Sequence, residues 1–439
     1  MDKLQPFLEV VPLPALLAAP ILGALIFLLI PPRLRLSAAL IALVPYLTIG
    51  RLPGLGAAYH ICKATGWAAL IAVAVAAMLQ SGPVRRPHWI AALYVVIAAI
   101  APVYVLTTED SVFAVALRLQ WLIMILAAIA VARTIHDGPS LERVMRGLQI
   151  GFAVALLIPF SDLVLRGAGS FAIGINRFSP YDSNANQTGI FIAVGFVFSA
   201  YYALRDRNMM LRVVWAGFAA MAFAMALLTK SRSTAIACVF PVIPLLIHSL
   251  RRPLLALPIL GVMALVGVYV ISRTAELFTL SRLRDVETER VSQAADYIAL
   301  SIAQRPVFGL LGTSGMNSAV DDEIRTHAHN AYLVTAYVGG LSFLVPLLFL
   351  AAVSMLSAWY VWKQRRLFDV DPLLISVLCF LMFMVYAHGF INHSIYYPTY
   401  TWAFLHILLS ILLTTMAAEA LRSRRARPAE GPVIRPALA

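Results

Sequence analysis

Charged residues are scarce in this sequence, and acidic residues are scarcer than basic ones. Of its 439 residues, 13% are charged and 61% are hydrophobic, and the formal net charge is +13. A soluble domain cannot bury that much apolar surface, whereas repeated apolar runs of near-spanning length are typical of helical membrane proteins. The basic residues stand in short clusters between these runs, which is the pattern of topogenic charge and excludes a nucleic-acid-binding surface.

Cysteine is also scarce, with only Cys62, Cys238 and Cys379. Their spacing fits neither a metal site nor a disulfide framework, so we expect them to be packing residues. The first apolar run is followed by Pro31-Pro32-Arg33 in place of a small-residue cleavage site, so no cleavable signal peptide is predicted. The sequence shows no internal repeat and no glycine-rich nucleotide loop.

Apolar runs divide the whole chain. They fall near residues 11–30, 37–50, 64–80, 89–107, 112–132, 148–165, 188–204, 211–228, 233–249, 254–272, 341–362, 373–388 and 396–417. The weakest is 37–50, which contains Pro45. We therefore predict an all-α, polytopic integral membrane protein with 12 or 13 transmembrane helices in a single transmembrane domain over residues 1–439.

Basic clusters at every second loop give the predicted orientation. They contain Arg85-Arg86, Arg143 and Arg146, Arg205 with Arg207 and Arg212, Arg251-Arg252, Lys363 with Arg365-Arg366, and Arg422 to Arg427. The positive-inside rule places these clusters in the cytoplasm. The basic, proline-containing segment 422–439 lacks apolar periodicity and is predicted to be a disordered cytoplasmic tail. The alternate loops are then predicted to face outward. They hold nearly all the polar residues that could take part in binding or catalysis.

The outward loop 166–187 is rich in turn formers and hydrogen-bonding side chains. It is either a capped connector, with Asn186 or Thr188 starting the next helix, or a ligand site. In the second interpretation Arg177 binds an anion and the amides, including that of Asn186, bind sugar.

The next outward loop contains only residues 229–233, Thr-Lys-Ser-Arg-Ser. Lys230 and Arg232 could simply extend to the membrane surface, as such side chains often do. Two cations in an outward loop nevertheless oppose the positive-inside trend, and phosphate is a natural partner for them.

A large outward loop is predicted over residues 273–330. Apolar residues at helical spacing predict an amphipathic helix over 290–304, with Arg290 in its first turn, lying in the membrane interface. The loop ends with two histidines, His327 and His329, which can move protons near neutral pH. The alternative is a purely structural role, in which this segment starts a helix with Asn330 as its N-cap.

Two further features concern the helices themselves. Gly339-Gly340 predicts a break between a short helix over 331–338 and the next spanning helix. Arg118 and Asp162 lie inside apolar runs near their outward ends, and we expect them to form a structural ion pair with each other.

Together the outward residues resemble the O-antigen ligase / O-antigen polymerase superfamily of bacterial membrane glycosyltransferases. One shared feature is a His-Asn pair with a glycine about ten residues later, here His329, Asn330 and Gly340, and another is a Ser-Arg pair at a helix junction, here Ser231 and Arg232. A third is an Arg followed by Pro and Gly ahead of the His, here Arg290, Pro306, Gly309 and Gly312. The fourth is an Arg before an Asn-rich turn, here Arg177 with Asn184 and Asn186. The motifs cover residues 170–345, and the hydropathy resemblance covers the whole chain. Two departures leave the subfamily open: Phe343 stands where a small residue or Tyr is common, and Ala294-Ala295 replaces an aromatic run.

The resemblance implies transfer of a glycan from undecaprenyl diphosphate to a sugar hydroxyl at the periplasmic face of the bacterial inner membrane. It selects His329 over His327 as general base, a choice that spacing alone leaves open. Its implied ligands for diphosphate or glycan are Arg177, Arg232, Arg290, Lys230, Asn330 and Asn186. The implied partners are the lipid-linked glycan donor and a lipid A-core or growing-glycan acceptor, with no metal and no other cofactor.

Three other functions compete with a ligase. A polymerase of the same superfamily differs in its acceptor, which the sequence does not give. A polysaccharide or ion transporter would place its charges near the midplane and often shows repeats, whereas here the charges crowd one face. A divalent-metal site could use Asp321, Asp322 and Glu323 with the histidines, although the arginines already offer the positive charge that a metal would supply.

Overall fold

The computed structural model describes residues 13–108, 112–172, 177–250, 306, 307, 309, 330–390 and 401–426. Helices dominate this part of the chain, and their bounds are α1 Leu13–Leu29, α2 Pro32–Ile49, α3 Ala57–Met78, α4 Ile90–Thr108, α5 Val112–Thr134, α6 Gly138–Arg166, α7 Ala185–Arg205, α8 Met209–Leu228, α9 Arg232–Leu250, α10 Ala331–Lys363, α11 Pro372–Gly389 and α12 Thr401–Ala426. Each helix coincides with one predicted apolar run. The remaining run, 254–272, lies outside the described residues.

Among the described helices, nine are long and apolar enough to cross a membrane. They include α2, although its run was the weakest in the sequence and Pro45 lies within it. The prediction of an all-α polytopic membrane protein is confirmed.

The centre of the bundle is formed by the last helices of the chain together with α7. In the apolar window of α12, 83% of residues are buried, and the fractions for α11 and α7 are 78% and 72%. The corresponding fraction for α8 is only 28%. Because an exposed apolar surface on a membrane helix faces lipid, α8 lies at the periphery and α12 in the interior.

The predicted basic clusters that fall among the described residues share one end of the bundle, which we call the basic end. Ion pairs tie the helix ends together there: Arg85 Nε lies 2.7 Å from Glu419 Oε1, and Arg205 Nε lies 2.7 Å from Asp371 Oδ2. The helix α12 continues at this end to Ala426, so the first residues of the predicted disordered tail, from Arg422, are helical and that boundary was placed too early. Residues 427–439 lie outside the described part.

At the other end, which we call the site end, α7 and α9 approach each other very closely. A Cβ atom at Gly189 would lie 1.7 Å from Oγ1 of Thr234, so only glycine permits this approach. The close contact places the first residues of α7 beside the residues that precede α9.

Candidate functional site

A short hairpin holds the loop between α6 and α7 against the end of α6. Strand β1, Phe171–Ala172, pairs in antiparallel fashion with β2, Arg177–Phe178, and a tight turn over Pro180–Asp182 follows. The Asp162 carboxylate accepts a hydrogen bond from the backbone N–H of Tyr181 (3.0 Å) and lies 2.7 Å from Arg166 Nε. The carboxylate therefore fixes the turn.

These contacts correct the predicted pairing of Arg118 with Asp162. Both residues are described, and no ion pair joins them; Asp162 is instead paired with Arg166, one helical turn further on. The i, i+4 spacing places that arginine directly beside the carboxylate, so a local partner is closer than one on another helix.

Arg177 is half-buried and makes two hydrogen bonds to neutral oxygen atoms. Its Nε donates to the backbone carbonyl of Thr229 at 2.9 Å, and its Nη2 donates to Oδ1 of Asn186 at 2.5 Å. Burial lowers the pKa of the guanidinium below its ordinary value, but an arginine in a protein stays protonated near neutral pH. Because neither oxygen carries a formal charge, the hydrogen-bond partners of Arg177 among the described residues leave its positive charge uncompensated.

Asn186 joins three segments of the site end. Its Oδ1 also accepts a hydrogen bond from the Ser231 hydroxyl at 2.8 Å. Ser231 in turn caps α9, because its Oγ accepts from the backbone N–H of Thr234 at 3.3 Å. We call Arg177, Asn186, Lys230 and Ser231 the Arg177 cluster. The structure thus brings together the two loops, before α7 and before α9, that the sequence singled out separately.

Lys230 lies in sequence between Thr229, which bonds to Arg177, and Ser231, which bonds to Asn186. It is half-buried, and its φ of 48° puts a non-glycine residue in the left-handed region. Such a conformation costs roughly 1–3 kcal/mol and is common at functional sites. Arg232 follows as the first residue of α9, so its backbone adjoins the cluster; its side chain lies outside the described part.

Helix α7 starts at the N-cap Asn184, and not at Asn186 or Thr188 as predicted. The Asn184 side chain accepts from the backbone N–H of Asn186 at 3.0 Å and caps α7. The expectation of a capped connector is confirmed, with the cap two residues earlier than its first predicted position.

Asn330 is the N-cap of α10, as the structural alternative for this segment predicted. Its Oδ1 accepts from the backbone N–H groups of Tyr332 (2.9 Å) and Leu333 (3.1 Å). The cap uses the oxygen, and the NH2 group of the amide keeps its donors for another partner. Within the described residues, no hydrogen bond joins Asn330 to the Arg177 cluster.

The predicted break in α10 is confirmed at Gly340, where φ is 61° and ψ is −165°. The break frees the backbone N–H groups of Leu341 and Ser342, which donate to the carbonyls of Pro306 and Val307 at 2.9 Å each. A Cβ atom at Gly340 would lie 2.4 Å from the Val307 carbonyl oxygen. Pro306 and Gly340 of the motif therefore lie together because the backbone at Pro306–Val307 closes the helix break at Gly340.

Several predicted features lie outside the described residues. These are His327, His329, Arg290, the amphipathic helix over 290–304 and the carboxylates Asp321, Asp322 and Glu323. In the sequence, His329 directly precedes Asn330, the N-cap of α10.

The end of α11 packs against that same start. Tyr332 Oη donates to the backbone carbonyl of Tyr386 at 3.0 Å, and its ring centroid lies 4.7 Å from that of Phe390. His388, in the last turn of α11, is 1% exposed, and its ring centroid lies 6.4 Å from that of Trp402. Sequence reasoning did not single out His388, because a histidine in an apolar run is usually a packing residue.

A cleft opens at the site end between α2, α7 and α12, and we call it the Arg51 cleft. The space in it that a water molecule can occupy is about 30 Å³. Its polar lining includes Arg51, Asn184 and Gln187, and its apolar lining includes Phe191 and Trp402. The sequence offered one signal for Arg51, a cation in the loop after the weak run 37–50, but the uncertainty of that run left the side of the loop open.

Comparison with models of known protein families finds no match to this chain. Comparison with curated proteins likewise finds no match.

Proposed function

We propose that the chain is an O-antigen ligase-like glycosyltransferase, which moves a glycan from undecaprenyl diphosphate to a sugar hydroxyl without a metal ion. The supporting observation is the half-buried guanidinium of Arg177, whose two hydrogen bonds go to the neutral oxygens of Thr229 and Asn186. A charge removed from water is costly unless it meets an opposite charge. The cluster therefore favours an anionic ligand.

Two helix N-termini add to the positive potential of the Arg177 cluster. Helices α7 and α9 both begin there, capped by Asn184 and Ser231. The partial positive charge at a helix N-terminus and its exposed N–H groups favour phosphate. With Lys230 and Arg232 in the same short loop, the cluster suits the two phosphates of a lipid diphosphate.

In this mechanism the acceptor hydroxyl attacks the anomeric carbon of the donor sugar. A new glycosidic C–O bond forms while the bond from that carbon to the diphosphate oxygen breaks. Negative charge develops on the leaving undecaprenyl diphosphate, and preorganised cations stabilise it. Arg177, Arg232, Arg290 and Lys230 supply those cations.

The proton of the acceptor hydroxyl goes to His329, which acts as the general base. Imidazole has an ordinary pKa near neutrality and suits that role. Asn330 supports it by fixing the first turn of α10 through two backbone hydrogen bonds. The remaining NH2 donors of Asn330 are placed to bind a sugar oxygen.

The proposed location is the bacterial inner membrane, with the site end in the periplasm and the C-terminus in the cytoplasm. The shared position of the described basic clusters at one end of the bundle supports this orientation under the positive-inside rule. The ion pairs Arg85–Glu419 and Arg205–Asp371 belong to that basic end.

A transfer assay with the purified full-length chain tests the proposal. The donor is a lipid-diphosphate-linked glycan, and the acceptors are lipid A-core and, separately, a lipid-linked single repeat. We expect product on lipid A-core, undiminished by excess chelator. Arg177→Ala should weaken donor binding about tenfold or more, because a charge-assisted contact is lost.

The matched control is Arg424→Gln, which removes an exposed arginine bonded to Gln364 at the basic end. It should leave donor binding unchanged. Product only on the lipid-linked repeat would indicate a polymerase, and loss of activity with chelator would restore a metal mechanism. Transport of labelled donor into sealed vesicles without any transfer would overturn the proposal.

A further inference from the structure

The first segment of α10, residues 331–338, is not held in line by the rest of the helix. At Gly340 the backbone has a φ of 61°, which interrupts the helical hydrogen bonds between this segment and the spanning part. The two N–H groups that follow the break bond instead to the carbonyls of Pro306–Val307. The direction of the first segment, and with it the position of its N-cap Asn330, must therefore be set by contacts with other helices.

Tyr332 supplies such a contact at the C-terminus of α11. Its Oη donates to the backbone carbonyl of Tyr386 at 3.0 Å, and its ring centroid lies 4.7 Å from that of Phe390. The carbonyl is available because the N–H of Phe390, its partner in a regular helix, donates to Ala387 at 3.2 Å. Among the side chains that the structure describes in residues 331–338, only that of Tyr332 hydrogen-bonds to another helix.

Tyr332 is also bonded to Asn330. Its backbone N–H donates to Asn330 Oδ1 at 2.9 Å, so one residue joins the cap of α10 to the end of α11. We infer that Tyr332 is a positioning residue, whose hydroxyl fixes Asn330 and the adjacent His329 relative to α11 for glycan transfer. This assignment rests on the proposed function, in which His329 takes the proton of the acceptor hydroxyl. A displacement of about 1 Å at a reacting group can cost roughly 100-fold in rate, so the loss of one remote hydroxyl should be measurable.

The first test measures the kinetics of Tyr332→Phe, which removes only the hydroxyl and keeps the ring beside Phe390. It uses the purified full-length chain, a lipid-diphosphate-linked glycan as donor and saturating lipid A-core as acceptor. We expect kcat to fall about tenfold to 100-fold, because the base is displaced. The KM for the donor should stay within about twofold of the wild-type value, because the Arg177 cluster is unaltered. An unchanged kcat overturns the assignment, and so does a loss seen only in the donor KM.

Tyr201→Phe is the matched control. The Tyr201 hydroxyl also donates to α11, but at the basic end, where it bonds to Oδ2 of Asp371 at 2.9 Å. A hydrogen bond to a carboxylate contributes at least as much to stability as one to a neutral carbonyl. Tyr201→Phe should therefore lower the unfolding temperature at least as much as Tyr332→Phe, while its kcat stays within about twofold of wild type. An equal loss of kcat in both variants would show that rate follows stability and would overturn the assignment.

The second test separates a failure of this assignment from a failure of the proposed function. It measures hydrogen exchange of the backbone amides of residues 331–338 by mass spectrometry of the detergent-solubilised chain. Tyr332→Phe should speed exchange there about two- to tenfold, the factor that corresponds to one lost hydrogen bond, and Tyr201→Phe should not. If wild type transfers no glycan but exchange behaves in this way, the proposed function is wrong and the anchoring of this segment by Tyr332 stands. If exchange in Tyr332→Phe equals that of wild type, the assignment is wrong even when transfer occurs.

Discussion

The Nη2 atom of Arg177 lies 2.5 Å from Oδ1 of Asn186, and the Ser231 hydroxyl donates to the same oxygen at 2.8 Å. The side-chain oxygen of Asn186 is thus occupied within the protein. Its part in the site is to hold the guanidinium and the start of α9 in place, and only its NH2 group keeps donors for a glycan.

A change of Asn186→Asp should weaken donor binding while preserving the fold. The carboxylate keeps the shape of the amide and still accepts from Arg177 and Ser231, but it neutralises the guanidinium that we propose binds diphosphate. We expect donor affinity to fall about tenfold or more, with thermal stability equal to or above that of wild type, measured by equilibrium binding and by unfolding in detergent.

Asn208→Asp is the control for that charge change. Asn208 caps α8 at the basic end by accepting from the backbone N–H of Met210 at 2.9 Å, and aspartate is an equally good cap. Donor affinity should not change in this variant. Undiminished binding by Asn186→Asp would mean that the charge of Arg177 does not hold the donor.

Gly340→Ala should destabilise the protein markedly. The new Cβ would lie 2.4 Å from the Val307 carbonyl oxygen, and a φ of 61° is strained for alanine. We expect a loss of about 1–3 kcal/mol, seen as a lower unfolding temperature in detergent. Gly217→Ala is the control, because nothing lies within 4 Å of a Cβ at that position. Equal unfolding temperatures for the two variants would contradict the packing described at the break in α10.

Cysteine labelling in cells tests the orientation. The native residues Cys62, Cys238 and Cys379 are all buried, so background labelling should be low. Ser318→Cys should react with an impermeant reagent once the outer membrane is breached, and Ser423→Cys only after lysis of the inner membrane. The reverse pattern would place the Arg177 cluster in the cytoplasm and remove its access to a periplasmic donor.

The helices were predictable because membrane spanning imposes long apolar runs, and Pro45 did not prevent α2 from forming. The break at Gly340 was also predictable, since paired glycines interrupt helices. The partner of Asp162 was not, because hydropathy places a residue along the membrane normal but does not say which neighbouring side chain it faces.

Some residues of the site could be predicted from the sequence, but their contacts could not. Sequence order identified Arg177 and the 229–233 loop separately, but their contact depends on the close approach of α7 and α9 at Gly189. Arg51 escaped attention because the cleft is assembled from α2, α7 and α12, which are remote in sequence. Only tertiary packing brings such residues together.

Replacement of His329 with alanine tests the central claim most directly. A general base typically contributes roughly 10²–10⁴-fold to a rate, so His329→Ala should lose that much transfer while its donor affinity stays near wild type. His327→Ala, matched in chemistry and only two residues away, should keep most of its activity. Transfer at the wild-type rate by His329→Ala, at equal expression and stability, would contradict the proposed mechanism.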